Sequence, residues 1–117
     1  MKTFRNLLIW QKSMDLVTQN YKLTQQFPKE EIFGLTVQIR RSVVSIPSNI
    51  AEGFGRQSNK EFTRFLNIAV GSLFEYQTQI EIAKNIHYIN EEEFNHLFDK
   101  SRELEAMMIS FIKKQNS

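Results

Sequence analysis

The sequence predicts an all-α protein, an antiparallel up-down-up-down four-helix bundle formed by residues 1–117 as a single domain. Apolar residues recur at spacings of three and four in four segments, which is the period of helices with one buried face. No segment alternates apolar and polar residues as a half-buried strand does. The links between the segments are short, and short links favour antiparallel neighbours.

The first helix is predicted from about Leu8 to Gln26. Its apolar side is wider than the stripe that a bundle helix needs, so part of it is expected to face another subunit. Phe27 and Pro28 end the helix, because the residue before a proline is pushed out of the helical region. The apolar side comprises Ile9, Trp10, Met14, Leu16, Val17, Tyr21, Leu23 and Phe27.

The second helix contains a proline, Pro47, at which a kink is expected. Ser45 and Ser48 are the candidates to satisfy the backbone groups that the proline frees. Gly53 is predicted to end the helix as its left-handed cap. The apolar face of this helix comprises Ile32, Leu35, Ile39, Val43, Ile46 and Ile50.

The third and fourth helices each begin with a predicted capping box, Ser58 with Glu61 and Asn90 with Glu93. The third helix has the most regular apolar seam, formed by Phe62, Leu66, Ala69, Leu73, Tyr76, Ile80 and Ala83. The fourth has a stripe of Phe94, Leu97, Phe98, Leu104, Met108, Phe111 and Ile112. Alternating steps of four and three are typical of antiparallel helices that pack at shallow angles.

Composition narrows the class of protein. The chain is 41% hydrophobic and 24% charged, as globular proteins are, and without cysteine it has neither disulfides nor thiolate metal ligands. The longest apolar run near its start, Leu7 to Trp10, is far shorter than the ~20 residues that span a bilayer. We therefore expect a cytoplasmic protein without a membrane segment.

Charge is unevenly distributed along the chain. Basic residues outnumber acidic ones by three in residues 1–27 and by two in residues 28–66, whereas residues 67–99 contain one basic and six acidic residues. Such a molecule presents a basic and an acidic region, which suits an anionic partner or head-to-tail association with copies of itself.

The titratable residues indicate no metal, cofactor or catalytic site. A bundle metal centre needs two Glu-x-x-His pairs, but Glu93 and His96 form one pair only, and His87 follows Lys84 instead of a glutamate. Neither histidine has an assignable partner for acid–base work, and no serine lies in a nucleophile elbow. We predict no catalytic residue and no cofactor.

Two hypotheses concern anions. The turn from Gly53 to Arg56 leads into the helix start at Ser58, where exposed amides and the helix dipole can hold a phosphate, although an ordinary interhelical turn has the same pattern.

The basic residues Arg40, Arg41, Arg56, Lys60 and Arg64 form a candidate surface for a nucleic-acid backbone. A solvated face with Glu30, Glu52 and Glu61 as counter-charges is the alternative.

Five apolar residues of the third helix lie off its seam: Ile68, Val70, Phe74, Ile82 and Ile86. A monomeric bundle would expose most of them. They are predicted to form a subunit interface, with scattered surface apolar residues as the alternative. Gly71 and Ser72 lie among them and would allow a close approach of another backbone.

Residues 38–53, QIRRSVVSIPSNIAEG, with Gly55 and Arg56 after them, resemble the four-helix bundle proteins called 23S rRNA-intervening sequence proteins. The signature positions are Arg40, Arg41, Pro47, Asn49, Glu52, Gly53, Gly55 and Arg56, and the pattern extends to Trp10, Phe27, Pro28, Phe62, Arg64, Phe65, Leu66, Ala69, Gly71, Ser72 and Glu75. Asn49 and Glu52 equally suit a role in capping or bracing the kinked helix.

The resemblance implies a four-helix bundle that assembles as a ring of five subunits, similar to the accessory variability determinant of diversity-generating retroelements. Some family genes lie inside intervening sequences of large-subunit ribosomal RNA genes, and the retroelement relatives associate with reverse transcriptase and RNA. No general activity of the family is known.

These observations lead to a non-enzymatic, homo-oligomeric scaffold, pentameric by resemblance, that contacts RNA or a ribonucleoprotein through the basic residues. The expected partners are further copies of the chain and RNA or a nucleic-acid-associated protein. A protein-binding adaptor without nucleic-acid contact is the alternative, and an enzyme with an unrecognised site is a remote one.

Overall fold

The computed structural model describes residues 2–116 and contains four long α-helices and no β-strand in that range. The helices are α1 (Leu8–Thr24), α2 (Leu35–Phe54), α3 (Asn59–Asn85) and α4 (Glu91–Gln115), and short 3-10 turns at Phe4–Asn6 and Lys29–Glu31 precede α1 and α2. Among these helices, none is both long and apolar enough to cross a membrane.

The helices form a bundle measuring 43 × 23 × 22 Å, in which α1 and α3 each pack against both α2 and α4. Ser42 of α2 hydrogen bonds to Gln79 and Ser45 to Ser72, so the partner residues on α3 run backwards as α2 advances. Pairs between α3 and α4, and between α4 and α1, follow the same reversed order. Neighbouring helices are therefore antiparallel, as predicted.

Most residues of the predicted apolar seams form the core, but Ile32, predicted on the face of the second helix, precedes α2 and is 55% exposed. Every seam residue of α3 is buried except Phe62, which is half-buried. α2 contributes four residues with no exposed surface, namely Ile39, Val43, Ile46 and Ile50. Some of the wide apolar side of α1 lies outside the core, since Met14 and Tyr21 are each 39% exposed. That exposure fits the expectation that α1 has more apolar surface than one subunit uses.

The predicted helix end at Gly53 is wrong. α2 continues to Phe54, and no glycine in residues 2–116 has a positive φ. Gly53 is buried, and a Cβ at this position would lie 2.6 Å from Cβ of Phe65 and 3.0 Å from Cδ1 of Phe62. Glycine is therefore needed here because α2 and α3 approach closely, and the local conformation of the backbone does not require it.

Pro47 lies inside α2 and is buried, and polar side chains bind the carbonyls around it. The Ser48 hydroxyl donates to the Val44 carbonyl at 2.9 Å, as expected of a serine beside a proline. The second donor is Asn49, whose amide reaches the Ser45 carbonyl at 2.8 Å. Ser45 thus supplies an acceptor here, and the kink at Pro47 stays a prediction.

The two predicted capping boxes differ. Asn90 and Glu93 form the complete box, in which each side chain accepts from the backbone N–H of the other. Ser58 accepts from the Glu61 N–H at 3.1 Å, but the Glu61 carboxylate accepts from Arg64 and does not turn back to Ser58. The box at α3 is therefore half-formed, because a guanidinium competes for the carboxylate.

Candidate functional site

Two arginines flank one aromatic ring at the start of α3. The guanidinium carbons of Arg56 and Arg64 lie 4.8 and 4.6 Å from the centroid of the Phe65 ring. Phe65 is buried against Gly53, so its position is set by the contact between α2 and α3. A guanidinium at such a distance is attracted by the ring, which holds both charges at the same end of the bundle.

Carboxylates partly balance these arginines. Arg56 lies 3.7 Å from Glu52, and Arg64 donates two hydrogen bonds of 3.1 Å to Glu61. The hydrogen bonds from Arg64 lower the pKa of Glu61, and the same contacts raise the pKa of Arg64, so this pair stays ionised near neutral pH. Lys60 is exposed and has no ion-pair partner within residues 2–116. It adds uncompensated positive charge to the cluster.

The amides of the turn before α3 are used by the end of α2. The Gly55 N–H donates to the carbonyls of Ala51 and Glu52, and the Arg56 N–H donates to the carbonyl of Gly53. These amides are therefore occupied by the end of α2. The geometry favours the ordinary interhelical turn over the phosphate hypothesis.

Arg40 and Arg41 lie elsewhere on α2. The Arg40 Nε donates to Thr24 Oγ1 at 2.9 Å, and its guanidinium lies 4.5 Å from the centroid of the Tyr21 ring, so Arg40 faces α1. Arg40 precedes the last residue of α2, Phe54, by about 21 Å along the helix axis. The structure thus brings Arg56, Lys60 and Arg64 together and places Arg40 and Arg41 farther along the bundle.

A surface groove of about 360 Å³ lies along the junction of α1 and α2, beside these two arginines. We call it the α1/α2 groove. Its lining residues are Tyr21, Ile32, Thr36, Val37, Arg40, Arg41 and Val44. Most of them are apolar, and Ile32 is 55% exposed, which makes the groove a largely apolar surface with two arginines at its edge.

The outer face of α3 exposes large apolar side chains. Ile68, Phe74, Ile82 and Ile86 are each between 42% and 46% exposed. We call this surface, with Gly71 and Glu75, the α3 outer face. A Cβ at Gly71 would meet nothing within 4 Å, so no other helix of the subunit approaches it.

Val70 does not share this exposure. It is half-buried and packs against the core. The reason is its side of the helix, since Val70 lies two turns before Gln77, which hydrogen bonds to Ser101 and Glu105 of α4. Grouping Val70 with the exposed residues was therefore wrong.

The remaining signature positions have structural roles in this subunit. Pro47 and Gly53 are buried, and Asn49 binds the backbone one turn earlier. Glu52 pairs with the arginine four residues later, and Gly55 lies in the turn between α2 and α3. None of the five lies in an enclosed polar pocket.

Sequence reasoning missed a polar layer inside the core. The Tyr76 hydroxyl donates to Asn20 Oδ1 at 3.1 Å, and burial raises the pKa of Tyr76. Asn20 is fully buried, and its Nδ2 has no hydrogen-bond partner. The available signal was position, because Asn20 falls four residues after Leu16 and three before Leu23 on the apolar side of α1.

A second missed contact joins the link before α2 to the turn before α4. The Tyr88 hydroxyl donates to Glu31 Oε2 at 2.5 Å, and the Leu35 N–H donates to Glu31 Oε1 at 3.0 Å. These hydrogen bonds lower the pKa of Glu31, and the carboxylate raises the pKa of Tyr88. Glu31 and Tyr88 are 57 residues apart, so spacing carries no signal for this pair.

The residues weighed for metal binding do not assemble into a centre. Glu93 accepts from the Asn90 backbone and from Gln26, and His96 is exposed on α4. Across residues 2–116, no group of three or more histidine, cysteine, aspartate or glutamate side chains is arranged to hold a metal ion.

Comparison with known proteins places these features in context. A family model described as 23S rRNA-intervening sequence protein matches residues 5–110. Among solved structures, a protein of unknown function from the S23 ribosomal protein family of Bacteroides thetaiotaomicron is similar, with 29% identity and a TM-score of 0.84. The match covers 91% of this chain and 99% of that one. No curated protein matches the chain significantly.

Proposed function

The chain belongs to the 23S rRNA-intervening sequence protein family, and on this basis we propose that it is a non-enzymatic, homo-oligomeric scaffold that contacts RNA or a ribonucleoprotein. The assembly is a pentamer, a number that rests on the resemblance of the sequence to ring-forming relatives. The contact with RNA uses Arg56, Lys60 and Arg64 around the start of α3.

The exposure of the α3 outer face is the main support for the proposed self-assembly. Fully burying an aliphatic or aromatic side chain contributes about 1.5–3 kcal/mol, and four such side chains here are only about half-buried. Gly71 supports the same conclusion, because glycine inside a helix costs about 0.5–1 kcal/mol relative to alanine. Nothing in the subunit compensates for that cost, whereas a neighbouring copy in close contact would.

The basic cluster supports the contact with RNA. Arg56, Lys60 and Arg64 lie at one end of the bundle, and the Phe65 ring orders two of them. Phosphate contacts of this kind need charge and position but no sequence-specific motif. Arg40 and Arg41 lie farther along α2 and do not belong to this cluster.

A protein-binding adaptor is the second candidate, and Phe33 favours it. This side chain, in the link before α2, is 91% exposed, and an exposed ring of this size suits a protein partner at least as well as a phosphate backbone.

Light scattering during size exclusion, with and without a mixed RNA pool at low and moderate salt, tests both parts of the proposal. We expect a mass of five 13.9 kDa subunits that increases with RNA in a salt-sensitive way. An assembly whose mass does not change with RNA would favour the protein-binding adaptor instead. A monomer would contradict the scaffold itself.

Paired variants test the basic cluster directly. Arg56→Gln with Lys60→Gln should weaken RNA binding and reduce the slope of log affinity against log salt by about 2, because two phosphate contacts are lost. The matched control is Lys22→Gln with Lys29→Gln, which removes the same charge at the opposite end of the bundle. Equal effects of the two pairs would show that net charge, and not this cluster, binds RNA.

A further inference from the structure

We propose that the α1/α2 groove of one subunit binds the α3 outer face of a second copy, in a head-to-tail contact. This inference rests on the self-assembly proposed above and names the two surfaces that meet. The two surfaces belong to different helices, because α1 and α3 are diagonal in the bundle, and only Arg41 lies near both, since it also lines a cleft with Glu75.

The two surfaces are complementary in shape. The groove is concave, with a volume of about 360 Å³, and the apolar side chains of Ile32, Val37 and Val44 line it. The α3 outer face is a convex helix surface whose apolar side chains are only about half-buried in their own subunit. Stacking on Tyr21 and the hydrogen bond to Thr24 hold Arg40 at the edge of the groove.

Their charges are complementary as well. Neither Arg40 nor Arg41 has a carboxylate ion-pair partner in the described chain, and both line the groove. Glu75 and Glu81 are exposed on α3 beside its apolar residues, and they too lack ion-pair partners in residues 2–116. Arg41 already shares a cleft with Glu75 of its own subunit, so the charges that a head-to-tail contact newly brings together are those of Arg40 and Glu81.

The same charges disfavour a two-fold contact between two α3 outer faces. Such an interface would place Glu75 and Glu81 of both copies close together, and like charges in apposition oppose association. When two unlike surfaces meet, every pair of subunits still has one free groove and one free α3 outer face. Further copies can therefore add until the assembly closes into a ring.

Two single variants, mixed, distinguish the head-to-tail contact from a two-fold one. Val44→Arg blocks the groove and Ile82→Arg blocks the α3 outer face, at positions that are 38% and 43% exposed and therefore tolerant of substitution. Each variant alone should be monomeric. Mixed in equal amounts they should form a one-to-one dimer of twice 13.9 kDa, because one variant retains the groove and the other retains the face.

Light scattering measures the mass of each variant and of the mixture. Circular dichroism with thermal unfolding shows whether each variant is folded. Ile32→Lys and Ile86→Lys, at residues 55% and 46% exposed, replace any member of the pair that does not fold. If the groove variants assemble as the wild type does, or the mixture stays monomeric, the head-to-tail contact is wrong while the scaffold stands. A monomeric wild type overturns the proposed assembly and this contact together.

Discussion

The two sides of α3 are best compared through two helical glycines, Gly53 on the helix that packs against its inner side and Gly71 on its outer side. A Cβ at Gly53 would lie 2.6 Å from a Phe65 atom, whereas a Cβ at Gly71 would meet nothing within 4 Å. The first glycine is explained by the fold of one subunit. The second has no such explanation, which separates what stabilises the subunit from what the subunit presents to a partner.

The largest effect is expected at the inner glycine. Gly53→Ala should lower the free energy of unfolding by about 1–2 kcal/mol, because overpacking against Phe65 and Phe62 outweighs the better helix propensity of alanine. Urea unfolding measures this change. Gly55→Ala is the control, since a Cβ there would make only ordinary contacts of 3.5 Å or more. An unchanged stability of Gly53→Ala would mean that α2 and α3 have room to separate.

An effect of similar size is expected at the buried Tyr76. Removing the hydroxyl with Tyr76→Phe leaves Asn20 Oδ1 without a donor and should cost about 1–2 kcal/mol. The double variant Asn20→Leu with Tyr76→Phe also removes the unpaired Asn20 amide, so it should unfold at a higher urea concentration than Tyr76→Phe alone. The opposite order would show that Asn20 contributes through a contact other than Tyr76.

At the outer glycine the sign should reverse. Gly71→Ala should raise the stability of the isolated subunit by about 0.5–1 kcal/mol through helix propensity, and should weaken the assembly by filling the space for a neighbour. Urea unfolding in the monomeric Ile82→Arg background measures the first effect, and light scattering of Gly71→Ala alone measures the second. An assembly that tolerates alanine at this position would show that no neighbouring backbone comes close to Gly71.

The smallest effect is expected at the contact between Glu31 and Tyr88, which belongs to neither side of α3. The lowered pKa of Glu31 contributes stability that is present above its ordinary value of 4.5 and is lost as the pH falls through the lowered value. The raised pKa of Tyr88 contributes stability that is present below 10.0 and is lost as the pH rises through the raised value.

Tyr88→Phe should therefore lower the melting temperature slightly at pH 7, and this difference from the wild type should shrink as the pH falls below 4.5 and through the lowered pKa of Glu31. Melting curves from pH 3 to pH 8 check the profile. A difference that persists at pH 3 would show that the hydrogen bond of the Tyr88 hydroxyl contributes independently of the charge on Glu31.

The predictions from sequence succeeded where one periodic pattern dominates. The seam of α3 and the complete box of Asn90 and Glu93 each depend on residues within a few turns, so their spacing is sufficient. Gly53 and Val70 were misassigned because their environments depend on which neighbouring helix they face. For Gly53 that neighbour is Phe65 of α3, and for Val70 it is α4.

The candidate site follows the same division. The exposure predicted for four apolar residues of α3 was confirmed, because a helix wider in apolar surface than its seam must expose the excess. The grouping of Arg56 with Arg64 around Phe65 is visible only in the tertiary structure. The separate position of Arg40 over Tyr21 is also visible only there. The α1/α2 groove could not be predicted, since its lining residues come from two helices whose packing no spacing specifies.

The sequence alone determined the number and approximate extent of the helices and most residues of their buried seams, because these depend on the 3.6-residue period and on local capping. It also determined that α3 has more apolar surface than one bundle buries. Only the tertiary structure decided which helices approach closely at Gly53, which polar groups meet across the core at Asn20 and Tyr76, and where the arginines lie. These features join residues far apart in the chain, and their distances are set by side-chain packing between helices.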